Sequence, residues 1–596
     1  MQALILAAGY GRRMQPLTQT THKTLLPIGD RTVIERIIDA LLAYNITDIA
    51  IVTGYLADDL KAFLARTYPQ MAITYIHNDR YAQTNNIYSL ALALENLPLT
   101  SDMVLIESDL IFEPAVLGRL LACQHPNVAL VDHYRSGMDG TVVTVDDGMV
   151  TSVIPSYLQG ADFDFHNKYK TLNIYRFSQA FCTTVFKRLL TYYARVIDDN
   201  CYYELILGIL IYMQREVIHA VVLQGEKWAE IDDPNDLDDA HFRFVEAQRL
   251  RVLESSFGGF WHYDVLDFCY LRNMYFPTGA VLSELRNNMQ VLVQNYGSAQ
   301  HIVNRKLAYY LLCDAAHVTA LNGASQFYPF LQRAFTGKHV LMPAPSFGEY
   351  ARIFPQARTY RDEVGLHTTE ILEQAQTCDL VVVVNPNNPT GSTLPTSWLY
   401  DFAATHPHTT LLVDESFIEF SQERSLLPLL EQAPLANVVL LTSLSKTLGV
   451  PGLRLGYVYS TTSAWHMTLR EALPIWNLNS LAEYFLEIIL KHRPAIDLSW
   501  QYTIRDREQL AAQLARLPLV ERVYPSGGNF LLTALRCNRS TCQQLVDTLL
   551  RHDGIYVKDV STRFHGQQSY LRLAVRLPTE HTRFLACWRR LTADWG

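Results

Sequence analysis

Short, wholly apolar segments return along the whole chain, and most are followed by a stretch whose apolar residues fall three and four apart. ALILAA (3–8) and DIAIVTGY (48–55) read as strands, and TVIERIIDALLAYN (32–45) between them as an amphipathic helix. DMVLIESDLIF (102–112) reads as a later strand. Strand, helix, strand at this spacing predicts a parallel α/β sheet, because parallel neighbours need a crossover long enough for a helix. The second half repeats the style with DLVVVV (379–384), TLLVDE (410–415) and VVLLTS (438–443). From about 495 the chain turns helix-rich and then strand-like at GGNFLLTAL (527–535) and SYLRLAV (569–575), which predicts a smaller α+β lobe.

At roughly 150 residues per domain, 596 residues would give about four units. With 49% apolar residues and ordinary glycine and proline, the chain is neither disordered nor collagen-like. DLDDAHFRFVEAQRLRVLESS (236–256) reads as a charged helix without catalytic pattern, followed by FGGF. The expected division is a domain over 1–245, a linker over 246–257 and a second unit over 258–596. The 50 basic and 59 acidic residues give −9, a poor balance for gripping a phosphate backbone, so no nucleic-acid partner is expected. Nine scattered cysteines without a C-x-x-C pair are expected to be small buried hydrophobes in a reducing compartment. The start is wrong for a signal peptide and no run of about 18 apolar residues exists, so a cytoplasmic protein without a membrane partner is expected.

The first strand runs directly into LAAGYGRRMQPLTQTTHKTLLPIG. Gly9 and Gly11 let the backbone approach a phosphate, and Arg13 and Lys23 are fixed cations beside that turn. Met14 stands where a dinucleotide fingerprint needs its third glycine, and the P-loop spacing is absent. The string L-A-A-G-x-G-x-R-M-x-P-L-T, with Lys23 and LLPIG, resembles the signature of sugar-nucleotide-type nucleotidyltransferases. The resemblance implies a Rossmann-like domain in which Leu6, Ala8, Gly9, Gly11, Arg13 and Lys23 bind the nucleotide, Arg13 and Lys23 acting on the triphosphate. Asp109, at the end of VLIESD, with Glu230 and/or Asp232, in KWAEIDDPNDLDDA, match the residues that hold Mg²⁺ in that family; hard carboxylate oxygens suit this ion. TNNIYSL (84–90), MDGTVV (138–143) and YKTLNIYRFS (169–178) are similar to the branch making CDP-choline-like and CDP-aminophosphonate-like products. Asn85, Asn86 and Lys170 are then candidate contacts to base or acceptor phosphate, and CTP is the implied nucleotide.

Four further motifs follow in order: LNGASQF (321–327), NPNNPTG (385–391), VDESFIEF (413–420) and TSLSKTLGVPGLRLGY (442–457). The set resembles fold-type I pyridoxal-phosphate enzymes of aminotransferase class I/II, with a large α/β and a small α+β lobe. The resemblance implies that Lys446 bonds covalently to pyridoxal 5'-phosphate and that Asp414 keeps its pyridine nitrogen protonated. It implies hydrogen bonding to the ring by Asn388, stacking by Phe347, and a phosphate cup made of Gly323, Ala324, Ser325, Ser443, Ser445 and Arg454. Arg572 in YLRLAV matches the arginine that clamps a substrate carboxylate. Tyr296 in NYGS resembles the tyrosine that reaches the partner subunit's cofactor, which implies a homodimer.

Phe417 stands where histidinol-phosphate aminotransferases usually carry tyrosine. That and LRLAVR bring the chain closer to threonine-phosphate decarboxylases, with Arg576 an extra cation for a substrate phosphate. The opening YDVLDFCYLRNMYFPTG (263–279) departs from the usual substrate gate. The expected function is bifunctional. The first domain transfers a cytidylyl group to a small amino-alcohol phosphate or phosphonate. The second decarboxylates a phosphoserine-like substrate, free or CDP-linked, toward CDP-ethanolamine. Alternatives are a transaminase paired with a phosphonate cytidylyltransferase, and one half serving as an inactive dimerising scaffold.

Overall fold

The computed structural model describes residues 1–135, 137–160, 162–362 and 368–593. The chain divides into two compact units, Met1–Asp264 and Val265–Gly596. Among the described residues no helix is long and apolar enough to cross a membrane.

Besides the short hairpin Pro27–Ile28 and Arg31–Thr32, the strands of the first unit in chain order are β1 (Gln2–Ala7), β2 (Asp48–Thr53), β3 (Ile73–His77), β4 (Met103–Glu107), β5 (Leu110–Phe112), β6 (Val128–His133), β7 (Val142–Asp146), β8 (Met149–Ile154), β9 (Tyr169–Phe177), β10 (His219–Val222) and β11 (Trp228–Glu230). Nine of them form one sheet in the order β3-β2-β1-β4-β9-β6-β10-β8-β7. Successive residues of β1 enter opposite apolar layers, Ala3, Ile5 and Ala7 on one face and Leu4 and Leu6 on the other. That double burial is why the strand reads as an unbroken apolar run.

The expected parallel pairing holds for β3, β2, β1 and β4. It fails at β9, which runs antiparallel to both β4 and β6. β7 and β8 are likewise antiparallel, and the tight turn between them carries Asp147 and Gly148, both at positive φ, too short for a helical crossover. DMVLIESDLIF is also two strands. The chain breaks at Ser108–Asp109 because β5 leaves the main sheet and pairs with β11, Leu110 opposite Glu230. The stretch 236–256 is interrupted too. The helix Pro234–Phe244 ends, and Arg249, which starts the helix Arg249–Ser256, turns back to donate from Nε to Phe242 O at 2.9 Å and from Nη2 to Arg243 O at 2.7 Å. Tyr263 stacks on Phe242 at 3.9 Å, so the chain stays with the first unit up to Asp264.

The second unit continues with β12 (Val318–Asn322), β13 (Val340–Ala344), β14 (Arg358–Arg361), β15 (Leu380–Val384), β16 (Thr410–Asp414), β17 (Val438–Ser443) and β18 (Leu455–Tyr459). They form a seven-stranded sheet in the order β12-β18-β17-β16-β15-β13-β14. β18 is antiparallel to both neighbours and the strands from β17 to β14 are parallel. Three of the separated motifs follow the carboxyl ends of the adjacent strands β15, β16 and β17, which brings them together in space. A smaller sheet, β19 (Val520–Val523), β20 (Phe530–Leu535), β21 (Lys558–Asp559) and β22 (Ser569–Ala574), has the order β19-β20-β22-β21.

Candidate active sites

In the first unit, β1 feeds the glycine loop. Gly11 takes φ +61° and opens a single 3-10 turn, Arg12–Met14. Its carbonyl accepts from Thr18 Oγ1 at 2.8 Å. Nothing lies within 4 Å of where a Cβ of Gly9 would stand, so that side of the loop can admit a ligand. Leu6 and Ala8 are buried beneath it, and Ala8 O accepts from Tyr55 N.

The β5–β11 pairing decides the rest. It sets Ile231 N against Asp109 O at 2.8 Å and so carries Asp232 to Asp109. Lys23 Nζ then donates to Asp109 Oδ2 at 3.2 Å and Asp232 Oδ1 at 3.1 Å, and Arg13 Nη2 lies 2.7 Å from Asp232 Oδ2. Asp236 Oδ2 fixes the turn by accepting the backbone N–H groups of Asp232 and Asp233. Burial opposes charge on Lys23, but Asp109 and Asp232 outweigh it and its pKa stands above the ordinary lysine value. Burial acts against the Asp232 charge as well; Lys23 and Arg13 prevail and hold its carboxyl below the usual range.

Glu230 has a different partner, the buried Lys170 of β9, at 3.0 Å. Burial pushes Glu230 up to about 7 against the pull of Lys170, with Asp109 and Asp232 adding repulsion. The three carboxylates matched to a metal are therefore not gathered as one ligand set. Each faces a cation, and no cluster of three or more metal-ligating side chains exists among the described residues. Asp109 Oδ1 is buried without a hydrogen-bond partner. Asn85 caps the helix Asn86–Asn96, its Oδ1 accepting from Asn86 N at 2.8 Å. Asn86 spends both ends of its amide on the protein, donating to Glu107 Oε1 and accepting from Tyr203 N, each at 3.0 Å.

In the second unit, Asp414 ends β16. Its Oδ1 accepts from Ser416 Oγ at 2.6 Å and its Oδ2 from Tyr350 OH at 2.8 Å. Burial raises its pKa, opposed by those donors. Lys446 sits in the short helix Leu444–Thr447 that follows β17. Burial lowers its ammonium to about 8, and Arg454 and Arg572 lower it too while Asp414 opposes them. Arg454, at φ +58°, reaches Ser325 Oγ at 3.3 Å, and a Cβ on Gly323 would run into its guanidinium. A Cβ on Gly456 would lie 2.5 Å from Ala324 N, so glycine is needed at both places for the cup to close this tightly. Ser445 Oγ is buried without a partner, and Ser443, which ends β17, donates its N–H to Ser416 Oγ. These features fit a phosphate-bearing cofactor held near Lys446.

Arg572, from β22, donates from Nη1 to Asn388 Oδ1 at 2.9 Å and from Nη2 to Cys269 O. Asn273 N donates to Lys446 O, so Cys269 and Asn273 of the atypical segment are part of this site. Arg576 is not joined to Arg572; it pairs with Glu580 at 2.7 Å. Phe417 is packed edge-on against Phe530 at 5.2 Å beside Leu271 and Phe420, an apolar setting with no use for a hydroxyl. Phe347 is part-exposed beside Tyr328, and Tyr296, 79% exposed, stacks on Trp476 at 4.3 Å. Sequence reading missed Tyr350 and Ser416. Tyr350 lies one turn after Phe347 on the helix Gly348–Ile353, a spacing that carries the signal. Tyr350→Phe removes a donor from a buried carboxylate and is expected to weaken pyridoxal phosphate retention roughly tenfold, read as loss of the visible band on dialysis.

Residues 267–586 match the model of the aminotransferase class I and II family, and residues 3–195 that of the MobA-like NTP transferase domain. Through both units the chain is similar to CMP-5'-(3-aminopropyl)phosphonate synthase of Streptomyces rubellomurinus, 31% identical over 98% of this chain and 93% of that protein. Threonine-phosphate decarboxylase of Salmonella typhimurium is 27% identical over 50% of this chain and 84% of its own length. L-serine phosphate decarboxylase of Campylobacter jejuni is 25% identical over 53% of this chain and 86% of its own.

Proposed function

From a chain that belongs to the aminotransferase class I and II family and carries a MobA-like NTP transferase domain ahead of that unit, we propose an enzyme with two activities on one small amino-phosphonate. The first unit joins CMP to the phosphonate. The second removes CO₂ from the carbon that bears the amine, on the free or CMP-linked amino acid. The observation that carries this is that the 31% identity to a CMP-phosphonate synthase spans 98% of the chain, both units included. The second reading runs from phosphoserine to CDP-ethanolamine, and the serine-phosphate decarboxylase among the relatives favours it.

In the first unit a phosphonate oxygen attacks the α-phosphorus of CTP, the bond to the β-phosphate breaks, and pyrophosphate leaves. The Gly9–Gly11 loop offers backbone amides, and Lys23 and Arg13 meet the negative charge that builds on the leaving group. Asp109, with its unpartnered buried Oδ1, and Asp232 fit one Mg²⁺ that keeps several ligands from phosphate and water. Such an ion would neutralise the phosphates.

In the second unit, pyridoxal phosphate when bound supplies an electron sink for a bond broken at the substrate Cα. Lys446 would carry it, the Gly323–Ser325 turn with Arg454 and Ser445 would hold its phosphate, and Asp414 would favour a protonated ring nitrogen. The planar fork of Arg572 would receive a substrate anion, and Lys446 Nζ would return a proton to Cα. A homodimer completes the picture. Leu282, Val291 and Val293, on the helix Gly279–Gln294, and Tyr296, Ile475 and Trp476 are all more than half exposed, apolar surface that a second copy would cover. Light scattering is expected to give twice the chain mass.

Pyrophosphate release tests the first activity. CTP is expected to exceed ATP, GTP and UTP by about tenfold or more with an aminoalkylphosphonate acceptor. Equal use of all four nucleotides, or release only with phosphoethanolamine, contradicts the phosphonate reading.

A further inference from the structure

The first unit holds acids that nucleotide chemistry does not use. Glu107 ends β4, and Glu204 opens the helix Glu204–Tyr212, only 3% exposed. They meet around Asn86, which holds the Glu107 carboxylate and the backbone N–H of Tyr203. The cations nearby are committed. Lys23 and Arg13 belong to Asp109 and Asp232, and Lys170 to Glu230. Among the described residues neither Glu107 nor Glu204 has an ion-pair partner, and Glu204 Oε2 is buried with no hydrogen-bond partner at all. Tyr175 and Tyr203, both buried, pack edge to face beside them with centroids 6.0 Å apart.

A carboxyl in so dry a place stays neutral unless a cation comes to it. Lys170 acts on Glu204 but is held by Glu230, so the positive charge that would ionise the pair is assigned to a ligand. The position also fits the acceptor. Glu107 is two residues before Asp109 on the same segment, at the carboxyl end of the sheet. We infer that Glu204 and Glu107 form the ammonium subsite of the nucleotidyl-transfer acceptor and select acceptors that carry a positive amine at one end and a phosphonate or phosphate at the other. This rests on the acceptor reading above and adds the residues that recognise the amine.

The test compares 2-aminoethylphosphonate with ethylphosphonate, which lacks only the amine, on the full-length protein. Calorimetry is expected to show the amine binding wild type roughly 10- to 100-fold more tightly. Glu204→Gln, close to isosteric, is expected to erase that preference while leaving ethylphosphonate affinity unchanged; Glu107→Gln is expected to reduce it and serves if the first variant folds poorly. Equal affinity of wild type for the two ligands overturns the subsite, as does a Glu204→Gln loss that falls equally on both. Pyrophosphate release is followed separately. If wild type discriminates in binding yet releases no pyrophosphate with any nucleotide, the transfer reading fails and the ammonium subsite stands.

Discussion

Lys446→Ala is expected to abolish the visible pyridoxal phosphate band that borohydride bleaches in wild type. Turnover in the second unit should fall by about 10³- to 10⁴-fold, the order set by losing a positioned acid–base group. Pyrophosphate release by the first unit should be unchanged, because Lys446 belongs to the other compact unit. The ammonium is buried, and with Arg454 and Arg572 facing it the amine titrates near 8 instead of at the ordinary lysine value. The sign follows directly. The neutral amine is the nucleophile, so uptake of pyridoxal phosphate by the apoprotein should quicken as pH rises and level off just above 8. Stopped-flow absorbance across pH reads this, and a rate still climbing toward the ordinary lysine pKa would show that the burial and neighbouring guanidinium groups do not act as described.

Lys23→Ala is expected to lower cytidylyl transfer by about 10²- to 10³-fold, the usual loss when one preorganised charge at a developing anion is removed. Lys23 is the only group that bridges Asp109 and Asp232 among the described residues, and its side chain is 14% exposed. Without it the two carboxylates face each other with Arg13 alone beside Asp232, and nucleotide binding should become more dependent on Mg²⁺. Arg13→Ala should do less, since its side chain is 62% exposed and water screens it. Coupled pyrophosphate release gives both values, and the pyridoxal phosphate band should be untouched in both variants.

Much of this was legible in the sequence for a physical reason. A parallel strand followed by a turn places its next few residues at the sheet's carboxyl edge, so Asn388, Asp414 and Lys446 could be read together without knowing any long-range contact. The glycine loop was legible because it follows β1 directly. What escaped reading depends on pairing between distant segments. The break at Asp109 exists because β5 pairs with β11, more than a hundred residues later in the chain. The antiparallel entry of β9 likewise leaves no local mark. Glu204 carries no local mark either, and only the meeting of Asn86 and Glu107 with it from other elements sets it apart. Arg576, two residues past the strand that carries Arg572, was drawn away by Glu580 on the next helix, an i,i+4 pair that sequence spacing does contain.

The central claim is that two different sites on this chain act on one small molecule. Incubating the purified protein with CTP, Mg²⁺, pyridoxal phosphate and an α-amino acid bearing a terminal phosphonate, and following ³¹P resonances and evolved CO₂ together, tests it most directly. The predicted outcome is pyrophosphate together with a CMP-linked amine lacking the carboxylate, with the CO₂ lost in Lys446→Ala and the CMP linkage lost in Lys23→Ala. Keto acid formed only with 2-oxoglutarate and no CO₂, or CO₂ without any CMP-linked product, would contradict it.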